Sequence, residues 1–233
     1  MKAKTIFRHR AGKAVFAALL LAFMSQPGAA TLDRIKATGV TVACLDPEAL
    51  PSSDSRLAPP GYDVEIAEEF AKSLGAKLQF NWFVHAYTSN VLRQLYDEKC
   101  DFVMGLPADR RLEGAGSPQL ALSSPYLLNG FAVVVANQIA ARGLDDLRGQ
   151  QIGVIMHTVP DFFVFDNGFA RSLHAKQSEM FEALTKRTIS AGIIWASTAG
   201  WLLKQHPEAN LKILSELRPE FRFPMAVAVK KGD

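Results

Sequence analysis

The side chains able to do chemistry are few and scattered along the 233 residues. Five histidines, His9, His85, His157, His174 and His206, are spaced too irregularly for a metal-ligand pattern. The chain has no G-x-S-x-G, no H-E-x-x-H, no phosphate-binding loop and no dinucleotide fingerprint. No acid–base pair can be named for turnover, so catalysis, a metal and a cofactor are not expected. What the residues do offer is binding chemistry. Asp46 stands in a Pro/Ser-rich loop, Leu106, Asp109, Arg110 and Arg111 follow a short apolar stretch, and His157 and Thr158 precede Pro160. Trp195 and Ser197 end a further apolar stretch. Carboxylates, guanidinium forks, an imidazole, hydroxyls and an indole can hold an organic solute without transforming it.

Composition narrows the setting. The first 30 residues carry Lys2, Lys4, Arg8, Arg10 and Lys13, then an apolar run from Ala14 to Met24, then Gly28-Ala29-Ala30. A basic start, an apolar run of 11 residues and small residues at the cut site form an export signal, with cleavage expected after Ala30. The alternative, an uncleaved anchor, is disfavoured because the run is too short to span a bilayer. Those 30 residues hold five of the 26 basic residues and none of the 23 acids, so the remainder carries 21 against 23, a charge of −2. The basic balance of the whole chain therefore belongs to the signal, and nucleic acid is excluded as a partner. Export also puts Cys44 and Cys100 in an oxidising compartment, where a disulfide is the default and two separate buried thiols the alternative.

The elements that must position these groups follow from hydrophobic patterning. Val40–Cys44, Lys77–Trp82 and Asp101–Gly105 read as strands, with a helix after Asp63 and another after Ser89 between them. The expected inward face of the first helix is Ile66, Ala67, Phe70, Ala71 and Leu74, with Asp63 as its cap. Strand and helix alternation predicts a parallel sheet with right-handed crossovers. Ligands then sit beyond the carboxyl ends of the strands, at Asp46–Pro51 and Gly105–Arg111. A second α/β run has strands at Gln151–Met156, Gly192–Trp195 and Leu211–Leu214. Its helices are expected from Pro160, from Ser178 to Lys186, and from a Ser197 or Thr198 cap to His206. Two apolar strands, Phe131–Ala136 and Met225–Val229, bracket this run. They predict that the chain leaves one lobe along the first and returns along the second, with a cleft between the lobes.

These elements, in this order, resemble the periplasmic solute-binding proteins of family 3, two-lobed receptors of ABC-type amino-acid importers. The residues that carry the likeness are GYDVEIAEEFAKSLG from Gly61, CDFVMG from Cys100, SSPY before the outgoing strand, DLRGQQIGVI from Asp146 and the closing AVAVKKGD. Cys44 with Asp46-Pro47 and Leu50-Pro51, CDFVMGLPA, and IIWASTAGW from Ile193 look similar to a branch encoded beside periplasmic PQQ-dependent quinoprotein alcohol (methanol) dehydrogenases.

The resemblance implies a type II periplasmic-binding-protein-like α/β fold, mostly parallel sheets joined by two crossing hinge strands. It divides the chain into a signal peptide (1–30), lobe 1 (31–128), lobe 2 (129–223) and a return strand (224–233). Relatives usually continue into terminal helices that this sequence does not contain. The implied role is extracytoplasmic capture of a small organic solute for an ABC permease. The alternatives are an accessory protein of a quinoprotein dehydrogenase and its cytochrome c, and, more weakly, a dehydratase-type enzyme on the same fold. Arg110 or Arg111 is expected to grip a ligand carboxylate, with a solvated loop side chain as the alternative for each. Thr158 offers a hydroxyl to an anion, and His157 is a donor or simply an exposed loop residue. Trp195 walls the pocket or packs in the core, and Asp46 and Asp109 accept from the ligand or cap local structure. The second-lobe stretch Ser190–Ser197 lacks the acid that relatives use for an ammonium, so a zwitterionic amino acid is a poor fit.

Overall fold

A computed structural model of the protein describes residues 27–56, 58, 60–84, 88–108, 119–216 and 218–232. The chain starts with α1 (Pro27–Thr38) and enters β1 (Val40–Leu45). A small hairpin of β2 (Glu48–Ala49) and β3 (Ser53–Asp54) occupies the Pro/Ser-rich loop. Then come α2 (Tyr62–Ser73), β4 (Lys77–Trp82), α3 (Thr88–Tyr96) and β5 (Phe102–Pro107). The three long strands are parallel in the order β4-β1-β5. The chain therefore leaves β1 for one side and later returns on the other, which opens a crevice at the strand exits.

Both faces of this sheet are covered, because successive side chains on a strand alternate sides and here both sets are apolar. Ala43, Leu45, Phe102 and Met104 pack under Val64 and Ala67 of α2. Cys44, Val103 and Leu106 pack under Val91, Leu92 and Leu95 of α3. Cys44 and Cys100 are joined as a disulfide, which ties β1 to the entry of β5. The expected inward row of α2 is corrected. Val64, Ala67 and Ala71 are buried, whereas Ile66 and Phe70 are exposed, because the helix lays its Val64 and Ala67 side onto the sheet. Gly61 takes the cap position expected for Asp63.

The chain continues through β6 (Leu120–Leu122), β7 (Leu127–Ala136), a 3-10 turn at Leu144–Leu147, β8 (Ile152–Ile155) and α4 (Val159–Asp166). It goes on to β9 (Arg171–His174), α5 (Gln177–Thr185), β10 (Ala191–Trp195), α6 (Ala196–Gln205), β11 (Leu211–Ile213) and β12 (Arg222–Lys230). The parallel order β9-β8-β10 repeats the first arrangement, the strand before the first crossover again lying in the middle. Helix α4 covers Ile152 and Val154 through Val164, and α5 covers the opposite face through Met180, Phe181 and Leu184. That second approach needs the paired glycines Gly153 and Gly192. A Cβ on Gly153 would stand 2.5 Å from Ile189 Cδ1, and one on Gly192 2.8 Å from Leu184 Cδ1.

The two long strands β7 and β12 join the halves. They pair antiparallel from Leu127↔Met225 to Gly130↔Arg222. Beyond that stretch, β7 continues against β10 and β11, and β12 continues against β5 and β6. Each strand thus runs from one sheet into the other. The architecture is the expected α/β, two-lobed, mostly parallel fold with two crossing strands.

Candidate functional site

The exits of β1, β5, β8 and β10 converge on one cleft of about 310 Å³ that also touches both crossing strands. Asp46, Leu106, His157, Thr158, Trp195 and Ser197 all line it. Asp109, Arg110 and Arg111 lie outside the described residues.

Local bonding decides what each lining residue can offer. Asp46 Oδ1 accepts the Glu48 amide at 2.9 Å, and its carbonyl accepts the Ser53 hydroxyl at 2.6 Å, so it braces the hairpin as well as facing the cleft. Leu106 is buried and belongs to the α3-side core. His157 has φ +60°, and its amide donates to Asp161 Oδ2 at 2.7 Å. Thr158 holds the cap position of α4, but its hydroxyl donates to Ile155 O at 2.6 Å rather than to the helix. The helix begins at Val159, which puts Pro160 second rather than first. Trp195 is half-buried. It lines the cleft and stacks on Phe131 at 4.0 Å, with Phe223 edge-on at 6.1 Å. Ser197 lies inside α6, whose cap position is Trp195, and its hydroxyl accepts Asn129 Nδ2 at 3.0 Å.

The group that sequence reasoning missed is Asp63. It sits in the first turn of α2, lines the cleft and is only 5% exposed. Its Oδ1 accepts the Tyr126 hydroxyl at 2.7 Å. Its Oδ2 lies beside Gly105, where a Cβ would come within 3.1 Å, and Gly105 has φ +70°, a conformation that favours glycine. Burial pushes the Asp63 carboxyl up to about 6, opposed only in part by the Tyr126 hydrogen bond. The same burial, together with the neighbouring Asp63 charge, raises both Tyr126 and Tyr62. The Tyr62 hydroxyl lies near the hydroxyls of Ser197 and Ser52, which hold its pKa rise in check. An acid just inside a helix reads equally well as a cap, so the sequence carried no separate signal for its role.

Glu48 of the first-half hairpin meets Lys176, the residue before α5, at 3.3 Å across the cleft. Among the described residues no group of three or more His, Cys, Asp or Glu side chains could hold a metal ion, and no helix is long and apolar enough to cross a membrane.

Strand exits of two sheets facing each other across a cleft, with two strands crossing between them, define the class as a two-lobed binding fold. Comparison with solved structures gives the same class. The arginine-bound truncated ArgBP from T. maritima superposes with a TM-score of 0.69 at 24% identity, covering 85% of this chain and 92% of that one. An ancestral arginine-binding protein bound to glutamine gives 0.68 at 25% identity, covering 84% and 85%. The amino acid ABC transporter substrate-binding protein AbpA from Streptococcus pneumoniae, bound to L-arginine, gives 0.70 at 20% identity, covering 85% and 84%. The likeness is one of fold. No family model and no curated protein matches the sequence.

Proposed function

We propose that this is an extracytoplasmic solute-binding protein of the family 3 type, which captures a small organic solute between its lobes and delivers it to an ABC permease. The observation that carries the reading is the cleft lined from both sets of strand exits and bounded by both crossing strands. Structural neighbours that hold arginine or glutamine support it. In this reading residues 1–30 are the export signal to the periplasm, 31–128 and 129–223 are the lobes, and 224–233 return to the first. Asp46, Leu106, His157, Thr158, Trp195 and Ser197 contact the solute, and Arg110 or Arg111 grips any carboxylate. Closure proceeds by bending at the crossing strands. Protein purified from periplasm should gain thermal stability with at least one solute of a broad metabolite panel. Saturation at 100 times the dissociation constant corresponds to about 2.7 kcal/mol. A panel with no shift anywhere would refute capture.

A second reading has its own observation. Phe162 and Phe165 of α4 are 53% and 62% exposed, beside the His157–Thr158 loop, and suit a protein partner. That partner would be a periplasmic quinoprotein dehydrogenase or its cytochrome c. Recovery of the protein alone, at native abundance, from gently lysed periplasm would end this reading. For the dehydratase-type reading, Asp63 with Tyr126 is a candidate acid–base pair among the described residues, and mass analysis of any bound solute after incubation tests for turnover.

A further inference from the structure

We propose that the solute carries an organic cation, an ammonium, amidinium or guanidinium on a short apolar body, and that Asp63 receives its charge. The proposal rests on the cleft being a solute site and specifies what that site selects.

Three carboxylates are buried among the described residues, Asp54, Asp63 and Asp161. Asp54 is paired with Arg56, and Asp161 with Arg171. Asp63 has neither: its hydrogen-bond partner is a neutral phenol, and no Lys, Arg or His among the described residues forms an ion pair with it. Isolated buried carboxylates are costly and are found paired, protonated or in use. Among the described lining residues, the one lysine, Lys176, is held by Glu48. Geometry leaves room for an external partner. Asp63 is in the lining, and Gly105 lacks the side chain that would crowd Oδ2.

The surrounding surface suits such a group. Tyr62, Tyr126, Phe131, Trp195 and Phe223 share the lining with Asp63. Aromatic faces attract cations electrostatically and shelter the alkyl part of an amine or guanidine from water. The cleft volume, about 310 Å³, limits the solute to a small molecule. This also revises the expectation drawn from the second lobe. Ser190–Ser197 indeed lacks an acid, but the first half supplies one, so a cationic group is accommodated from the opposite wall.

The test is calorimetric titration of the purified protein with n-butylammonium, n-butylguanidinium, agmatine and L-arginine, alongside pentanoate and pentanamide as charge controls. At least one cationic probe should bind, and Asp63→Asn should weaken it about 10- to 100-fold, the loss of a charge-assisted hydrogen bond. Affinity should also fall as the pH drops through about 6, where Asp63 takes up its proton. The titratable groups beside Asp63 are Tyr62 and Tyr126, with Asp46, Glu48, His157 and Lys176 elsewhere in the lining. Tyr126→Phe separates the charge from the fold. It keeps the carboxylate but removes the hydrogen bond that favours ionisation, so the pH of half-maximal binding should rise. A melting temperature of Asp63→Asn at or above that of the parent shows that weakened binding is not unfolding. Binding of pentanoate or pentanamide without any cationic probe, or equal cation affinity in Asp63→Asn, overturns the cation assignment and leaves solute capture standing. No binding across these probes and the wider metabolite panel overturns both.

Discussion

The two halves of the molecule repeat one arrangement and use it for different ends. Each has three parallel strands with the first in the middle, each sends its first strand into a crossover helix, and each buries an aspartate in that helix's first turn. Asp161, in the second half, is closed off by Arg171 and by the His157 amide, and so holds the loop in which His157 adopts φ +60°. Asp63, in the first half, has among the described residues only the Tyr126 hydroxyl and faces the cleft. A matched pair of buried charges fixes a loop. An unmatched one in the same topological place raises its own protonation midpoint and is left to whatever enters the cleft.

The largest expected effect removes another difference between the halves, the disulfide, which only the first possesses. Replacing Cys44 and Cys100 together with Ala releases a constraint on 56 residues of chain, worth at most about 4 kcal/mol by loop entropy. Hydrogen exchange should then quicken in β1, β4 and β5 and stay unchanged in β8, β9 and β10. Uniform loss of protection would show that the halves unfold as one unit.

Next in size is Arg171→Leu, which would make Asp161 resemble Asp63. Breaking a buried pair costs about 3 kcal/mol or more when the remaining charge has no other partner. The His157 amide and the part-exposure of Arg171 reduce that figure here. Most of the lost stability should return in the double variant with Asp161→Asn, where no uncompensated charge remains. A penalty of the same size in the Asp161→Asn background would mean that the ion pair contributes packing rather than charge.

Asp63→Asn should act in the opposite direction. The folded protein holds the Asp63 proton up to about 6, against an ordinary 3.8, so between those values the native state binds more protons than the unfolded chain. Stability from this group is therefore complete below 3.8 and is lost as pH rises through 6, a loss of roughly 2–3 kcal/mol. Asn has no charge to desolvate, so the variant should melt higher than the parent at pH 7.5 and about equally at pH 4. A lower melting temperature at pH 7.5 would show that the carboxylate is satisfied within the protein, which would end its contrast with Asp161.

How much of this was legible in the sequence depends on whether the signal is local. The strands expected at 101–105, 131–136, 151–156 and 192–195 were readable because burial on both faces demands apolar runs, and the one at 40–44 from its β-rich alternation. Strand order pointed to the exit loops at Asp46–Pro51 and Gly105–Arg111, whereas His157, Thr158 and Trp195 were pointed to by the family resemblance; Asp46, Leu106, His157, Thr158, Trp195 and Ser197 line one cleft. The strand β9 was missed because Arg-Ser-Leu-His at a sheet edge carries no apolar run, and the two-residue strands of the hairpin are too short to show a period. Asp63 was read as a cap for a different reason. Whether an acid in a first helical turn meets water, a backbone amide or a cleft is set by helix rotation and by Tyr126, 63 residues away.

The smallest effect concerns the contact that spans the two halves. Glu48 and Lys176 are both substantially exposed, so their ion pair, unlike that of Asp161 and Arg171, retains much of its hydration. Exposed pairs are worth less than about 1 kcal/mol and are screened by salt. A double-mutant cycle on Glu48→Gln and Lys176→Met should therefore give a coupling of about 0.5 kcal/mol in dilute buffer, vanishing near 0.5 M salt. That is enough to change an open-to-closed ratio about two-fold, since 1.4 kcal/mol corresponds to ten-fold. The pair thus biases closure without deciding it, and the affinity of any solute must come from the lining behind it. A salt-resistant coupling above about 2 kcal/mol would place the pair in a dry interface, and the cleft would then be held shut by the protein itself rather than by what it binds.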